Sequence, residues 1–336
     1  MLLFFIKPIY NMFEKVSPSH PDKLADRIAG AIVDLAYTKA KNPRIATEVL
    51  LGHGECNIQV ETSEQIGAED IEAIVSRIAG EGIETRALIV PQDIHLAANQ
   101  QHGVRCGDNG IFRGVPPTHE QKLLTAIAAT MWERFKSDGK YIIGRYRRRD
   151  GKHFIEPSED DDRSLGLTIC QSNATNDEIL DWWHKFGNEH LWDLQEKFTF
   201  CFGRDVENRK RYISLTKVNP LGEWTGGVNV DCGAVNRKLG SDMGDGVSGG
   251  GINGKDLSKG DVSINIVCFL KAVQSGQTVT ACCSIGDEQV TFQYASGKTE
   301  TETFADVVEM ARLYILTDCN GSFETFSEWG LIRPKL

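Results

Sequence analysis

The sequence has no Cys-X-X-Cys pair, no long apolar run and no excess of positive charge. Its nine cysteines are scattered, apart from the adjacent Cys282 and Cys283. On a strand these two would point to opposite faces. Without paired spacing, neither a zinc framework nor a disulfide scaffold is specified, and separate free thiols in a reducing, cytoplasmic setting are expected. The opening MLLFFIKPIY meets Lys7 and Pro8 too early for a membrane span, which needs roughly 20 apolar residues. It also lacks a basic leader and a small-residue cleavage site, so an extended N-terminal strand is expected rather than a signal peptide. The chain carries 37 basic against 47 acidic residues, a net charge of -10. No general positive field is available to attract a nucleic acid or an anionic membrane surface. A local basic pocket is still compatible with that balance.

At 336 residues the chain can hold one large domain or two to three smaller ones. Pro21 suits a first helical turn, Asp22 complements the positive helix end, and Leu24, Ile28, Ile32 and Leu35 follow at helical spacing. Residues 45–51 and 56–60 read as a hairpin around Gly52-His53-Gly54. Helices are expected over 68–78, 119–135, 176–186 and 304–316. Strands are expected over 85–90, 165–170, 279–285 and 289–294. Residues 91–110 read as a long polar connection, a class that is often functional. For 264–273 periodicity leaves helix and buried strand both open. The order suggests an α+β fold of modest sheets backed by helices. It divides into an N-terminal unit over 1–104, a central unit over 105–218 and a C-terminal unit over 219–336.

Four charged clusters stand out: His20-Pro21-Asp22-Lys23, Cys106-Gly107-Asp108-Asn109-Gly110, Asp150-Gly151-Lys152, and a group running from Asp231 through Arg237, Lys238, Lys255, Asp256, Lys259 and Asp261. Carboxylates are hard oxygen ligands suited to Mg²⁺ beside a phosphate. Lysine and arginine neutralise polyphosphate, arginine with planar geometry. A histidine can donate to an oxygen on which charge develops. Taken singly, each cluster also reads as an ordinary turn or helix start. The basic run Arg145–Arg149 and the acidic run Glu159–Asp162 read as solvated surface. Gly254-Lys255 is followed by Asp256, not Ser or Thr, so the glycine-rich stretch is not a Walker A loop. Composition and spacing stop at an enzyme handling Mg²⁺ and phosphate.

Four ordered segments carry a resemblance. SPSHPDKLADRIAGAIVD (17–34) resembles the N-terminal signature of the S-adenosylmethionine synthetases, also called methionine adenosyltransferases. CGDNG (106–110) is similar to that family's GDQG element. DCGAVNRK (231–238) is similar to DCGLTGRK, and GGGINGKDLSKGD (249–261) resembles GGGAFSGKDPSKVD. The resemblance implies three similar sheet-and-helix domains around a pseudo-threefold axis, with active sites between the subunits of a homodimer that often pairs into a tetramer. It implies ATP and L-methionine as substrates, two Mg²⁺ per active site, and K⁺.

The resemblance also implies roles. His20 matches the histidine near the oxygen bridging ribose C5′ and the triphosphate. Lys152, Arg237, Lys238, Lys255 and Lys259 match the polyphosphate cradle. Of these, Lys152, Arg237 and Lys259 join His20 as the catalytic set. Asp22 and either Asp256 or Asp261 match the region supplying metal carboxylates, with Asp22 and Asp261 favoured. Glu48 matches the glutamate associated with K⁺. Glu55, Asp231 and Lys259 match the methionine side, Asp108 and Asp231 the adenosine side. Trp224 falls where the family has an aromatic beside adenine, as a flat stacking surface would require. The implied reaction is attack of methionine sulfur on C5′ with departure of intact triphosphate, which is then hydrolysed. A neutral sulfur needs no general base, so positioning and leaving-group stabilisation should dominate.

The sequence departs from the family in places. Asn109 stands for the usual Gln, Val262-Ser263 follow Asp261 where an arginine is usual, the stretch 219–227 is shorter, and the lid equivalent over 92–104 matches poorly. The chain is shorter than typical members and ends WGLIRPKL. Two rivals follow: a synthetase acting on a methionine analogue, and a catalytically weak subunit that regulates an active partner. Retention of His20, Asp22, Lys152, Arg237, Lys255, Lys259 and Asp261 favours the active enzyme.

Overall fold

The computed structural model describes residues 12–136, 151–157, 164–194, 198–201 and 211–334. From the N-terminus come β1 (Phe13–Val16), α1 (Pro21–Lys39), β2 (Ile45–Gly52), β3 (Glu55–Thr62), α2 (Ala68–Ala79), β4 (Glu84–Pro91), α3 (Ile94–Asn99), β5 (Gly110–Gly114) and α4 (His119–Lys136). Then follow β6 (Gly151–Pro157), β7 (Ser164–Gln171), α5 (Asn176–Leu194), β8 (Phe198–Cys201) and β9 (Arg211–Val218). The last part contains β10 (Cys232–Ala234), α6 (Leu239–Met243), α7 (Gly260–Ser275), β11 (Val279–Cys283), β12 (Gln289–Tyr294), β13 (Thr299–Thr303), α8 (Phe304–Asp318) and α9 (Phe323–Trp329).

The strands form three sheets, in the orders β10-β2-β3-β4, β1-β6-β7-β9-β8 and β13-β12-β11-β5. This is the α+β architecture expected from the sequence. Each sheet takes most of its strands from one stretch of chain and one strand from another. β10 joins the N-terminal hairpin, β1 joins the central sheet and β5 joins the C-terminal sheet.

Local chemistry explains most elements. His20 caps α1 and Pro21 occupies its first turn. His53 and Gly54 both take positive φ, 52° and 86°, which is the twist a two-residue hairpin loop needs between β2 and β3. Strand β3 alternates strictly between exposed and buried residues, so one sheet face packs inward. The segment around Ile264 is helical, in α7. Val262, Ile264, Ile266, Val267 and Cys268 are all buried there, as are the polar Ser263 and Asn265, and a helix buried all round leaves no period to read. Within 91–110 the structure holds α3, started by the Asp93 side chain accepting from the His95 and Leu96 amides at 2.9 and 3.2 Å. A polar stretch hid that cap. The expected N-terminal strand, Arg145–Arg149 and Glu159–Asp162 lie outside the described residues.

Two cores hold the layers. The larger packs α1, α2, α7, α8 and α9 on the N- and C-terminal sheets through residues such as Ile28, Ile32, Ile58, Phe112, Phe292 and Phe326. The smaller packs α4 and α5 on the central sheet through Leu124, Ile127, Ile169, Ile179 and Trp183. Burying one such side chain fully contributes about 1.5–3 kcal/mol. Among the described residues, no helix is long and apolar enough to cross a membrane.

Candidate functional site

The start of α1 gathers the first group. The His20 Nδ1 accepts the Asp22 amide at 3.2 Å. A neutral imidazole accepting at Nδ1 carries its proton on Nε2. Asp22 is buried, and its Oδ1 accepts the Ala234 amide at 2.9 Å. Arg237 Nη1 stands 3.6 Å from Oδ1, and Lys238 Nζ 3.7 Å from Oδ2. Lys238 also reaches Glu14 at 3.4 Å. This meeting of distant segments depends on Gly233, where a Cβ would lie 2.1 Å from the Pro21 main chain. Lys152 pairs through its backbone with Val16 of β1 and Cys170 of β7, in the strand beside the one that leads into His20.

Beneath this group lie buried charges, and of these only Lys23 was read in the sequence as part of a charged cluster, from which the structure separates it. Lys23 is fully buried, bonded to Asp26 at 2.9 Å and Asp242 at 2.5 Å. Burial alone would lower its pKa, but the two carboxylates outweigh it and hold the ammonium above its ordinary value. Burial pushes the Asp26 carboxyl up to about 6, with the Asp242 charge adding and Lys23 opposing. Lys15 is also buried, and its Nζ donates to the Ser241, Trp329 and Ile332 carbonyls at 2.8–3.0 Å. Sequence reasoning gave no role to Lys15, Asp26 or Asp242, because their partners lie hundreds of residues away.

The second group surrounds Lys255. Its ammonium forms a short ion pair with Asp261 and lies 3.8 Å from Asp108. Burial raises the Asp261 pKa, Lys255 opposes the rise and Asp108 adds to it. Burial likewise raises Glu48, with Lys255 opposing and Glu61 adding. Lys255 is held beside β2 by a bridge to Ala46 and by the Thr47 amide donating to the Gly254 carbonyl at 2.7 Å. Lys259 is buried at the N-cap of α7. Asp256 is set apart by its bonding. One of its oxygens accepts the Ile45 amide and the other the Ser258 amide, both at 2.7 Å.

A third set lies at the β2–β3 turn. Glu55 pairs with Gly52 across the hairpin, and Cys232, next to Asp231, pairs with Gly52 from the other side. Asp231 accepts its neighbour's amide at 2.7 Å, and Glu55 lies 3.4 Å from Arg86. Trp224 is half-buried in the loop after β9, beside Ser172 across Gly226.

The donor set suits a divalent cation shared with phosphate. Mg²⁺ asks for only one or two carboxylates when phosphate oxygens and water complete its shell. Asp22 Oδ2 and the Asp261 carboxylate face cationic side chains instead of main-chain amides, whereas both Asp256 oxygens are occupied by amides. No group of three or more His, Cys, Asp or Glu residues placed to hold a metal occurs among the described residues.

One residue missed by the sequence reading ties the Arg237 segment to the glycine-rich loop. Asn236, next to Arg237, has φ 60°, and its side chain bonds the glycine-rich loop before Lys255. The available signal was an asparagine standing where the similar family signature has glycine.

Residues 9–88 match the family model described as the S-adenosylmethionine synthetase N-terminal domain. The S-adenosylmethionine synthase of Trichodesmium erythraeum is 25% identical, over 76% of this chain and 69% of its own. That of Helicobacter acinonychis is 25% identical over 96% and 89%. A solved structure, an unusual S-adenosylmethionine synthetase from Campylobacter jejuni, superposes with a TM-score of 0.60 at 16% identity, covering 97% of this chain and 90% of that one. The chain is thus similar to the S-adenosylmethionine synthetases in its N-terminal domain, over most of its length in sequence and in its fold.

Proposed function

We propose that the protein makes S-adenosylmethionine from ATP and L-methionine, releasing phosphate and diphosphate. The observation that carries this reading is the grouping of His20, Asp22, Arg237 and Lys238 at the start of α1, in a chain whose relatives are named for that synthesis. The sulfur lone pair forms the C5′–S bond and the C5′–O bond breaks, its electrons leaving on the triphosphate. His20 Nε2–H donates to that oxygen as charge develops. Lys152, Arg237, Lys238, Lys255 and Lys259 hold the polyphosphate before and after cleavage. Trp224 and Asp108 flank adenosine, Asp231 lies between adenosine and methionine, and Glu55 with Lys259 orients methionine. Asp22 and Asp261 would hold Mg²⁺, which when bound neutralises phosphate charge. Glu48, beside Glu61, would hold K⁺.

A complete site would draw on two copies in a homodimer, which can pair further into a tetramer. Three sheet-and-helix units about a pseudo-threefold axis supply the frame. Eight of the nine cysteines, Cys201 aside, are free thiols, in keeping with a cytoplasmic enzyme.

The test is incubation of purified protein with ATP, methionine, Mg²⁺ and K⁺, with S-adenosylmethionine, phosphate and diphosphate measured. All three should rise together. Absence of a methionine-dependent nucleoside product overturns the proposal.

A further inference from the structure

The glycine-rich loop of this chain is one residue shorter than the signature it resembles. Only Ile252 and Asn253 separate GGG from GKD, where GGGAFSGKD has three residues. Asn236, in turn, stands where DCGLTGRK has glycine, and it keeps a glycine-like φ of 60°. Asparagine tolerates that region because its short side chain bonds locally. Here the bonds run to the shortened loop. Asn236 Oδ1 accepts the Ile252 amide at 3.1 Å and the Asn253 amide at 3.0 Å. Its Nδ2 donates to the Asn253 carbonyl at 3.2 Å, and its own amide donates to Asp26 at 2.7 Å. Ile252 and Asn253 are buried, so these main-chain groups need a partner inside the protein. The packing is tight on both sides: a Cβ on Gly251 would fall 2.3 Å from the Asn236 side chain, and one on Gly250 would fall 1.7 Å from the Asp261 carboxylate.

We propose that Asn236 is a positioning residue that locks the glycine-rich loop onto the Arg237-Lys238 segment, filling the place of the residue the loop lacks. Its side chain thereby sets Lys255 and Asp261, at the far end of the loop, relative to Arg237, Lys238 and Asp22. The consequence for turnover rests on the proposed synthesis of S-adenosylmethionine, while the clamp itself does not.

The test compares wild type with Asn236→Gly, which keeps the backbone conformation and removes the clamp, and with Asn236→Asp, which keeps an acceptor for both amides. A third variant adds to Asn236→Gly the replacement of Ile252-Asn253 by Ala-Phe-Ser. In Asn236→Gly, hydrogen exchange at Ile252 and Asn253 should quicken about tenfold, the loss expected for hydrogen bonds of ordinary strength. kcat should fall by a similar factor while the KM for methionine stays within about twofold. Asn236→Asp should recover the amide protection, and the lengthened loop should recover kcat. Unchanged exchange and turnover in Asn236→Gly, or a loss that neither Asp nor the longer loop reverses, overturns the proposal. If wild type makes no S-adenosylmethionine, the functional reading fails, and the exchange rates together with tripolyphosphate affinity still decide the clamp.

Discussion

Two sets of one lysine and two aspartates lie in the same large fold and are built for opposite ends. In Lys23–Asp26–Asp242 all three side chains are sealed from water. In Asp108–Lys255–Asp261, Lys255 and Asp108 stay partly open. Asp26 spends its second oxygen on the Asn236 amide, while Asp242 Oδ1 has no hydrogen-bond partner among the described residues. The sealed set fastens the start of α1 to α6. The open set holds an ammonium between two carboxylates, an arrangement that an incoming cation and an anionic phosphate can both rearrange. Charge type is the same in each. Burial is what separates the two sets.

The largest expected effect tests the sealed set. Lys23→Met leaves two buried carboxylates without their cation, which should cost about 3–5 kcal/mol in urea unfolding. A loss below about 1 kcal/mol would remove the distinction drawn above. The open set should respond the other way. Asp261→Asn within it, and Lys259→Ala at the neighbouring N-cap of α7, should each lower S-adenosylmethionine formation on the order of 100-fold, with unfolding midpoints close to wild type. Wild-type rates in both variants would place the chemistry elsewhere.

A smaller effect is a pH dependence. The Asp26 carboxyl is raised from 3.8 to about 6 in the folded protein. The folded state therefore binds its proton more tightly, and the stability this contributes is fully present below 3.8 and lost as pH rises through about 6. The stability advantage of wild type over Asp26→Asn should accordingly be greater at pH 4 than at pH 7. An advantage growing with pH would reverse the assignment. The smallest effect marks the outer limit of the series. Lys298 is exposed and pairs with Glu300 at 2.6 Å, and Lys298→Ala should cost less than about 0.5 kcal/mol, an effect that salt reduces further.

What could be read from the sequence follows the range of the interactions. The start of α1 was legible because its cap, proline and apolar spacing are all local. The β2–β3 hairpin was legible through Gly52-His53-Gly54. The clusters around His20, Asp108, Arg237 and Lys255 were visible as charge and as family resemblance, but not the way they divide. Resemblance favoured Asp261 over Asp256, but the physical difference, the Ile45 and Ser258 amides that occupy both Asp256 oxygens, exists only in the fold. Lys23 sits in the same motif as His20 and Asp22 yet points into the core, because Asp242 waits there. The small α3 was missed because one Asp93 side chain starts it. Strands β1, β5 and β10 escaped because three to five residues carry no period and their partners come from other parts of the chain.

That exchange of strands bears on how the protein emerges from the ribosome. The N-terminal hairpin is made early, but β2 keeps one edge unpaired until Cys232–Ala234 arrive. At synthesis rates of about 5–20 residues per second, the roughly 140 residues between β4 and β10 take about 7–28 s. During that interval Leu50, opposite Ala234 in the finished sheet, belongs to an open β-edge on a nascent chain. A factor that shields such edges would find its substrate there, and separately expressed thirds of this chain would each inherit one edge that never closes.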